Sequence, residues 1–285
     1  MKKNELFKIG NLKLKNRYFL APMAEVNDIA FRLLCKKAGC GLAYTGMTNP
    51  LNKKELILDD KPALQIFSTS EKGIEEFIKR YEKRVSLFDF NLGCPAKTAK
   101  KLGFGSFMHN KIETIEKILA IMRKSTKKPI TIKLRKSDDA LKIAEIAEKY
   151  CDAICIHPRT SGQGYSGNPD LEFAEKLKSC VSIPIIYSGN VNEKNAGEFL
   201  RRFDFVMIGR AAMGNPGIFS ELLNKKVKIG FGNYLKLAER YNLKFSQIKL
   251  QALNFTKSKK NAKELRRKIV NTNSVDDIKQ IFHLD

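Results

Sequence analysis

The stretch Leu87-Phe88-Asp89-Phe90-Asn91-Leu92-Gly93-Cys94-Pro95 reads as a strand that runs into a tight turn. Side chains alternate along a strand, so Phe88, Phe90 and Leu92 share one face and Asp89, Asn91 and Gly93 the other. Seven more short runs of this kind stand at 18–22, 42–45, 63–68, 129–134, 152–157, 183–188 and 203–208. Amphipathic stretches at 29–38, 71–84, 112–124, 140–150, 171–178, 193–201 and 211–223 separate them. Eight strands alternating with helices predict a parallel sheet of the α/β class. Over roughly 220 residues they predict a closed (β/α)8 TIM barrel. An open doubly wound sheet is the competing architecture. It needs a Gly-rich turn after the first strand, and Ala21-Pro22-Met23-Ala24-Glu25 is not one.

The same alternation places polar residues inside the barrel. In 129–134 Thr131 and Lys133 oppose Ile130, Ile132 and Leu134; in 152–157 Cys155 and His157 oppose Ile154 and Ile156. In 63–68 Gln65 and Phe67 oppose Leu64 and Ile66. With the apolar faces turned to the helices, Gln65, Asn91, Lys133 and His157 face the axis. A buried lysine or amide without a partner is costly. Three of the four lie at or next to the C-terminal strand ends, and four polar residues with the same facing predict a ligand site rather than four structural polar groups. After the seventh strand comes Ser188-Gly189-Asn190-Val191, and after the eighth Gly209-Arg210-Ala211-Ala212, each leading to a helix. Those two loops are the usual phosphate site of such barrels, with glycines for close approach, helix N-terminal N–H groups and a fixed guanidinium. Lys133 together with a phosphate site fits a flavin mononucleotide, because a cation stabilises the anionic reduced flavin. Cys94, held by Gly93 and Pro95 in a basic loop at the barrel mouth, is a candidate for proton or nucleophile chemistry. Lys97, Lys100 and Lys101 with Gly103-Phe104-Gly105-Ser106 suit a basic, mobile rim. The segment from His157 to Gly167 supplies polar donors and Tyr165, either as a substrate clamp or as a well-bonded loop.

The 285 residues carry 53 Lys+Arg against 30 Asp+Glu, a net charge of +23. That excludes an acidic or neutral surface and favours a polyanionic partner. No stretch is long and apolar enough for a membrane span, and the N-terminus lacks a signal-peptide core. The six cysteines, none in C-x-x-C spacing, and three histidines predict a reducing, cytoplasmic setting and no metal site. Five cysteines read as small buried residues, with Cys94 apart. Composition shifts after about Asn224: 225–285 holds about 15 Lys+Arg and about 5 Asp+Glu. It reads as helical near 234–241, 246–255, 262–270 and 274–282. The expected organisation is a barrel at 1–224 and a small all-helical domain at 225–285. Aromatics interleaved with lysine in the tail suit either a small helical bundle or a nucleic-acid-binding appendage. Oligomeric state is left open, with a monomer favoured.

Together these segments resemble the tRNA-dihydrouridine synthase family. The matching pieces are Ala21-Pro22-Met23, Gln65, Asn91-Leu92-Gly93-Cys94-Pro95, Lys133, His157 with Arg159-Thr160, Gln163, Tyr165 and Gly167, then Gly189 and Gly209-Arg210. The tail, with Phe255-Thr256-Lys257 and Leu265-Arg266-Arg267-Lys268, is similar to the family's tRNA-binding domain. The resemblance implies FMN on Pro22, Met23, Gln65, Lys133, His157, Ser188, Gly189, Asn190, Gly209 and Arg210. It implies reduction of the flavin by NADPH or NADH and a uridine turned out of the tRNA. Asn91, Arg159 and Lys97 would contact the substrate. Hydride would pass from flavin N5 to uracil C6, and Cys94 would deliver the proton to C5. Binding of tRNA by so basic a chain should fall steeply with salt. The family pattern is broken at Glu25, Ser68 and Pro158, where it has Gly, at Gly46, where it has Glu, and at Ser188 and Asn190. Glu25 and Gly46 read as one charge moved across the mouth. Two other functions compete: an FMN barrel of the dihydroorotate dehydrogenase kind acting on a free pyrimidine, and a non-catalytic RNA-binding barrel. The first has no need of a basic helical tail; the second predicts the loss of Cys94 or Lys133.

Overall fold

The computed structural model describes residues 7–257 and 259–284. The outermost ends of both expected domains, residues 1–6 and 285, and with them the start of the N-terminal segment read for a signal peptide, lie outside the described residues. The chain opens on a hairpin, β1 (Phe7–Ile9) and β2 (Leu12–Leu14), turned at Gly10-Asn11. The barrel follows as β3 (Tyr18–Leu20), α1 (Ile29–Lys37), β4 (Leu42–Ala43), β5 (Ala63–Ile66), α2 (Ile74–Tyr81) and β6 (Leu87–Leu92). Next come α3 (Lys97–Leu102), α4 (Ile112–Ser125), β7 (Ile130–Arg135), α5 (Ala140–Glu148), β8 (Ala153–His157) and α6 (Leu171–Ser179). The barrel ends with β9 (Ile185–Ser188), α7 (Ala196–Arg202), β10 (Phe205–Ile208) and α8 (Ile218–Leu222). Four helices form the tail: α9 (Phe231–Arg240), α10 (Phe245–Asn254), α11 (Ala262–Val270) and α12 (Val275–Phe282).

The eight-stranded parallel sheet runs β4-β3-β10-β9-β8-β7-β6-β5. Parallel bridges Tyr44 to Ala63 and Thr48 to Ile66 close β4 onto β5. The fold is therefore a (β/α)8 barrel with a helical tail, as the alternation predicts. The pleat divides the core in two. Leu20, Leu64, Phe88, Phe90, Ile132, Ile154 and Ile156 face the helices. Phe19, Leu42, Tyr44, Leu87, Ala153, Cys155, Ile186, Phe205 and Met207 fill the interior, with Ile9 and Leu14 of the hairpin closing the N-terminal end. Burying each large side chain of these layers contributes roughly 1.5–3 kcal/mol.

Several local expectations give way to the structure. The helix expected over 211–223 is only α8, because Gly214 sits at φ +75° with Asn254 O 2.0 Å from where a Cβ would stand. Pro216 just before α8 also lacks the N–H a longer helix would use. The helix over 71–84 shortens to α2, since Gly73 is left-handed at φ +77° and residues 82–84 tighten into a 3-10 turn. The rim at 97–106 is α3 followed by a 3-10 turn at Gly105–Met108 rather than a mobile loop. The hairpin β1–β2 was not foreseen. Cys180, expected to be buried, is half-exposed at the C-terminus of α6.

Candidate active site

The C-terminal ends of the strands bring the expected residues together. Gln65, Asn91 and His157 are buried and Lys133 is half-buried, all on the inward faces. Below them lies Asp89, fully buried. Its carboxylate accepts Thr131 Oγ1 at 2.5 Å and Gln65 Nε2 at 2.6 Å. Burial pushes the Asp89 carboxyl up to about 7, against the pull of those two donors and of Lys133. Asn91 Nδ2 donates to Gln65 Oε1 at 2.8 Å, while Asn91 Oδ1 accepts the N–H groups of Gly93 at 3.1 Å and Cys94 at 2.9 Å.

Cys94 thus begins a loop pinned from two sides. Its carbonyl accepts Ser106 Oγ at 3.0 Å and Ser106 N at 3.2 Å. Gly105, at φ +65°, lets that contact form, since a Cβ there would stand 2.9 Å from Cys94 Cβ. Cys94 is half-buried, whereas Cys35, Cys40, Cys151 and Cys155 are buried. His109 bridges Leu92 O and Ser137 Oγ, each at 2.6 Å, and so holds the strand just before the turn.

His157 lies among cations. Burial and then Lys133, Arg135, Arg159 and Arg210 depress its imidazole to about 2, so it is neutral at physiological pH. Arg159 Nη1 lies 3.0 Å from His157 Nε2. A guanidinium only donates, so Nε2 accepts and the proton sits on Nδ1. Arg159 is itself fully buried, donating to Ser166 O at 3.1 Å and Gly167 O at 2.6 Å.

Arg135 was not among the expected site residues. It is buried, and donates to Gly93 O at 2.9 Å, Gly164 O at 2.8 Å and Thr160 O at 3.1 Å, tying the Cys94 loop to the loop after β8. The alternation that marked Thr131 and Lys133 reaches Arg135 one step further, but the expected strand stopped at 134. Tyr165, exposed, lies 5.1 Å under the Arg210 guanidinium, 5.5 Å under that of Arg135 and 6.1 Å from the His157 ring. The segment after His157 is thus a heavily bonded loop that also presents an aromatic ring at the mouth.

Next to His157, Gly189 is left-handed at φ +143°, and a Cβ there would stand 3.1 Å from Pro169 and 3.2 Å from His157. Asn190 follows at φ +51°, accepting Arg210 Nη2 at 2.6 Å. Gly209 faces Ala21 and Met23. Ser188 is buried, and Pro22 and Met23 are half-buried. The helices do not begin directly after these glycines. α7 starts at Ala196 and α8 at Ile218, so turn N–H groups, rather than helix N-termini, border this corner. Lys97 is exposed on the first turn of α3. Among the described residues no cluster of three His, Cys, Asp or Glu is arranged to hold a metal. No helix there is long and apolar enough to cross a membrane.

The tail packs against α1 chiefly through α9. Phe231, Tyr234 and Phe255 are buried, with Phe231 near Phe282 at 4.3 Å, Tyr234 at 5.8 Å and Phe255 at 5.7 Å, while Tyr241 and Phe245 are half-buried. The buried three belong to the tail's core, and about half of its exposed residues are lysine or arginine.

Residues 19–280 match the model of the dihydrouridine synthase family. The chain belongs to the dihydrouridine synthase family. That match takes in the barrel and nearly all of the tail, and makes the chain an oxidoreductase. The chain is 34% identical over 239 residues to a probable tRNA-dihydrouridine synthase of Rickettsia bellii, covering 76% of this chain and 73% of the relative. It is 32% identical over 237 residues to tRNA-dihydrouridine synthase B of Pasteurella multocida, covering 74% and 70%. Among solved structures, an old yellow enzyme homologue from Zymomonas mobilis superposes with a TM-score of 0.56 at 10% identity, covering 80% of this chain and 96% of that one. Morphinone reductase superposes with a TM-score of 0.52 at 13% identity, over 80% and 93%. These two share the barrel fold.

Proposed function

We propose that this dihydrouridine synthase reduces the C5–C6 double bond of a uridine in tRNA, with FMN as its flavin and NADPH or NADH as reductant. The observation that carries the reading is Cys94, a half-buried thiol at the barrel mouth, fixed by Asn91 and Ser106 beside a set of cations. The residues present fit FMN. Gly189 and Gly209 leave room for close approach, Arg210 adds a guanidinium held by Asn190, and Lys133 brings an ammonium to the axis. Bound there, FMN supplies the hydride for uracil C6.

The chain's own residues then have separable tasks. Pro22, Met23, Gln65, Lys133, His157, Ser188, Gly189, Asn190, Gly209 and Arg210 hold the flavin. His157, fixed as the neutral Nδ1–H tautomer, offers a donor that does not titrate near neutral pH. Asn91 keeps a second N–H, now 3.7 Å from Met47 Sδ, for a uracil carbonyl. Arg159 orients His157 and borders the substrate, and Lys97 meets a tRNA phosphate. Cys94 holds the proton for C5 above the ring, since protonation at carbon needs a donor placed over the ring face. The basic tail at 225–285 serves as the tRNA-binding domain, and the enzyme acts as a cytoplasmic monomer.

The test is the mass of uridine-bearing fragments from unmodified tRNA incubated with the protein, FMN and NADPH. A gain of two hydrogens at a defined uridine, abolished in Cys94→Ala, is the expected result. A flavin that binds and reduces while no tRNA fragment gains mass would transfer the reading to a free small-molecule pyrimidine.

A further inference from the structure

We infer that Asp89 is a positioning residue for Cys94, acting through Gln65 and Asn91 from inside the barrel. Four groups form one hydrogen-bonded chain from the core to the thiol-bearing loop. Gln65 Nε2 donates to Asp89 at 2.6 Å, Asn91 Nδ2 donates to Gln65 at 2.8 Å, and Cys94 N donates to Asn91 at 2.9 Å. The two ends of the chain impose the same direction. At the upper end stand the backbone N–H groups of Gly93 and Cys94, which can only donate, so Asn91 must turn its oxygen toward them. Its NH2 then faces Gln65, whose oxygen must receive it, and the Gln65 NH2 points down to Asp89.

An oxygen at Asp89 completes the only arrangement without a donor facing a donor. Reversing both amides would set the Asn91 NH2 against two N–H groups and release the start of the Cys94 loop. Asp89 satisfies the requirement in either protonation state: the carboxylate accepts, and the neutral acid accepts through C=O while donating its O–H to Thr131. Tyr44, Lys133, Cys155 and, beyond the end of α5, Cys151 are the other titratable groups whose charge is felt at this carboxyl. Thr131 holds the second Asp89 oxygen at 2.5 Å, which stops the carboxyl turning away. An apolar residue at 89 would leave the buried Gln65 NH2 without its acceptor, which favours its turning toward another.

The inference rests on the proposed role of Cys94 for its consequence in turnover, so its test includes a readout that needs neither flavin nor tRNA. The purified protein is treated with iodoacetamide at mildly alkaline pH, and alkylation is followed peptide by peptide. Cys180, half-exposed and remote in sequence, is the internal control. In Asp89→Leu the Cys94 alkylation rate is expected to change by at least about threefold while the Cys180 rate does not. The kcat for tRNA should fall by about tenfold or more with KM unchanged. Asp89→Asn, whose amide oxygen can still receive Gln65, should stay within about twofold of wild type on both measures, because the chain survives there without a carboxyl. A folded Asp89→Leu with wild-type Cys94 alkylation and kcat overturns the inference. If Asp89→Leu unfolds, the buried Cys35 and Cys151 become alkylated. Gln65→Leu, which cuts the same chain one link higher, then decides: an unchanged Cys94 rate overturns the inference. If wild type reduces no tRNA uridine yet the alkylation pattern appears, the proposed function fails and the positioning chain stands.

Discussion

Asp28 joins the barrel to the helical tail, and removing its side chain should loosen that junction measurably. Its Oδ1 accepts Phe31 N at 2.9 Å, capping α1. Its Oδ2 accepts three donors from the tail: Gln247 Nε2 at 2.8 Å, Gln251 Nε2 at 3.0 Å and Tyr234 Oη at 3.2 Å. Gln247 and Gln251 also reach Glu25 O at 2.7 Å and Val26 O at 2.6 Å, so each retains one acceptor when Asp28 is lost. Tyr234 is fully buried and has no such second bond among those found in the described residues. In Asp28→Ala the lost cap costs about 1 kcal/mol, the stranded Tyr234 hydroxyl about 1–2 kcal/mol and the two amides a few tenths each. Burial raises the Asp28 carboxyl above its ordinary range, so relief of that desolvation offsets part of the loss. The net expectation is a destabilisation on the order of 2 kcal/mol. Asp28→Ser retains a capping oxygen but lacks the second one, so it should recover about 1 kcal/mol of the loss and none of the tail contacts. Urea unfolding measures the totals. Hydrogen exchange locates them, with faster exchange expected in α9 and α10 and none in β6 to β8. Exchange in α9 and α10 equal to wild type in Asp28→Ala would refute the role assigned to this carboxylate.

Three further predictions concern the mouth. His157 is depressed to about 2 in the folded chain against about 6.5 unfolded, so its contribution to stability is present above about 6.5 and is lost as pH falls toward 2. His157→Gln should therefore flatten the acid limb of stability against pH between those values, and an NMR titration of wild type should show no His157 transition near neutrality. Glu25 is left-handed at φ 61°, a conformation costing roughly 1 kcal/mol for a residue with a Cβ, so Glu25→Gly should raise the melting temperature. Position 46 lies alongside, where a Cβ would stand 3.5 Å from Ala24 Cα, and the idea of a charge moved across the mouth is open to test by mutation. Glu25→Gln should then lower turnover on tRNA, and unchanged turnover would end that idea.

The barrel was legible because its strands carry a period-two signal, and Leu87–Leu92 is a strand to the residue. The inward polar set was legible for the same reason. What escaped notice was set by contacts between distant segments. The hairpin Phe7–Leu14 did carry a turn signal, Gly10-Asn11 between two alternating triplets, but strands of three residues are too short for periodicity to weigh. The break before α8 depends on Gly214 meeting Asn254, 40 positions later, which no local pattern encodes. Arg135 acts through carbonyls of two separate loops and Asp28 through tail side chains far along the chain, while Arg159, expected at the substrate, also braces its own loop through His157, Ser166 and Gly167. The sequence shows only that charges are present, not whether their hydrogen bonds are already used.

That distinction changes how the positive charge at the mouth should be understood. Arg135 and Arg159 are the two largest fully buried side chains among the described residues, and both spend most of their donors on loop carbonyls. Their guanidiniums act mainly as fasteners for the loops after β6 and β8. Replacing either should disturb Cys94 or His157 geometry before it weakens any phosphate contact. Arg210 and Lys97 are exposed and can meet an anion directly, and Lys133 lies at the axis between the two sets. Four cations converging on one imidazole, with Arg135 and Arg159 buried among them, would be costly if the imidazole could also charge. Neutral His157, accepting from Arg159, lets the cations converge without a further like charge. A site so biased toward positive potential favours a ligand whose negative charge grows as it is reduced, which is what an electron-accepting flavin requires of its protein.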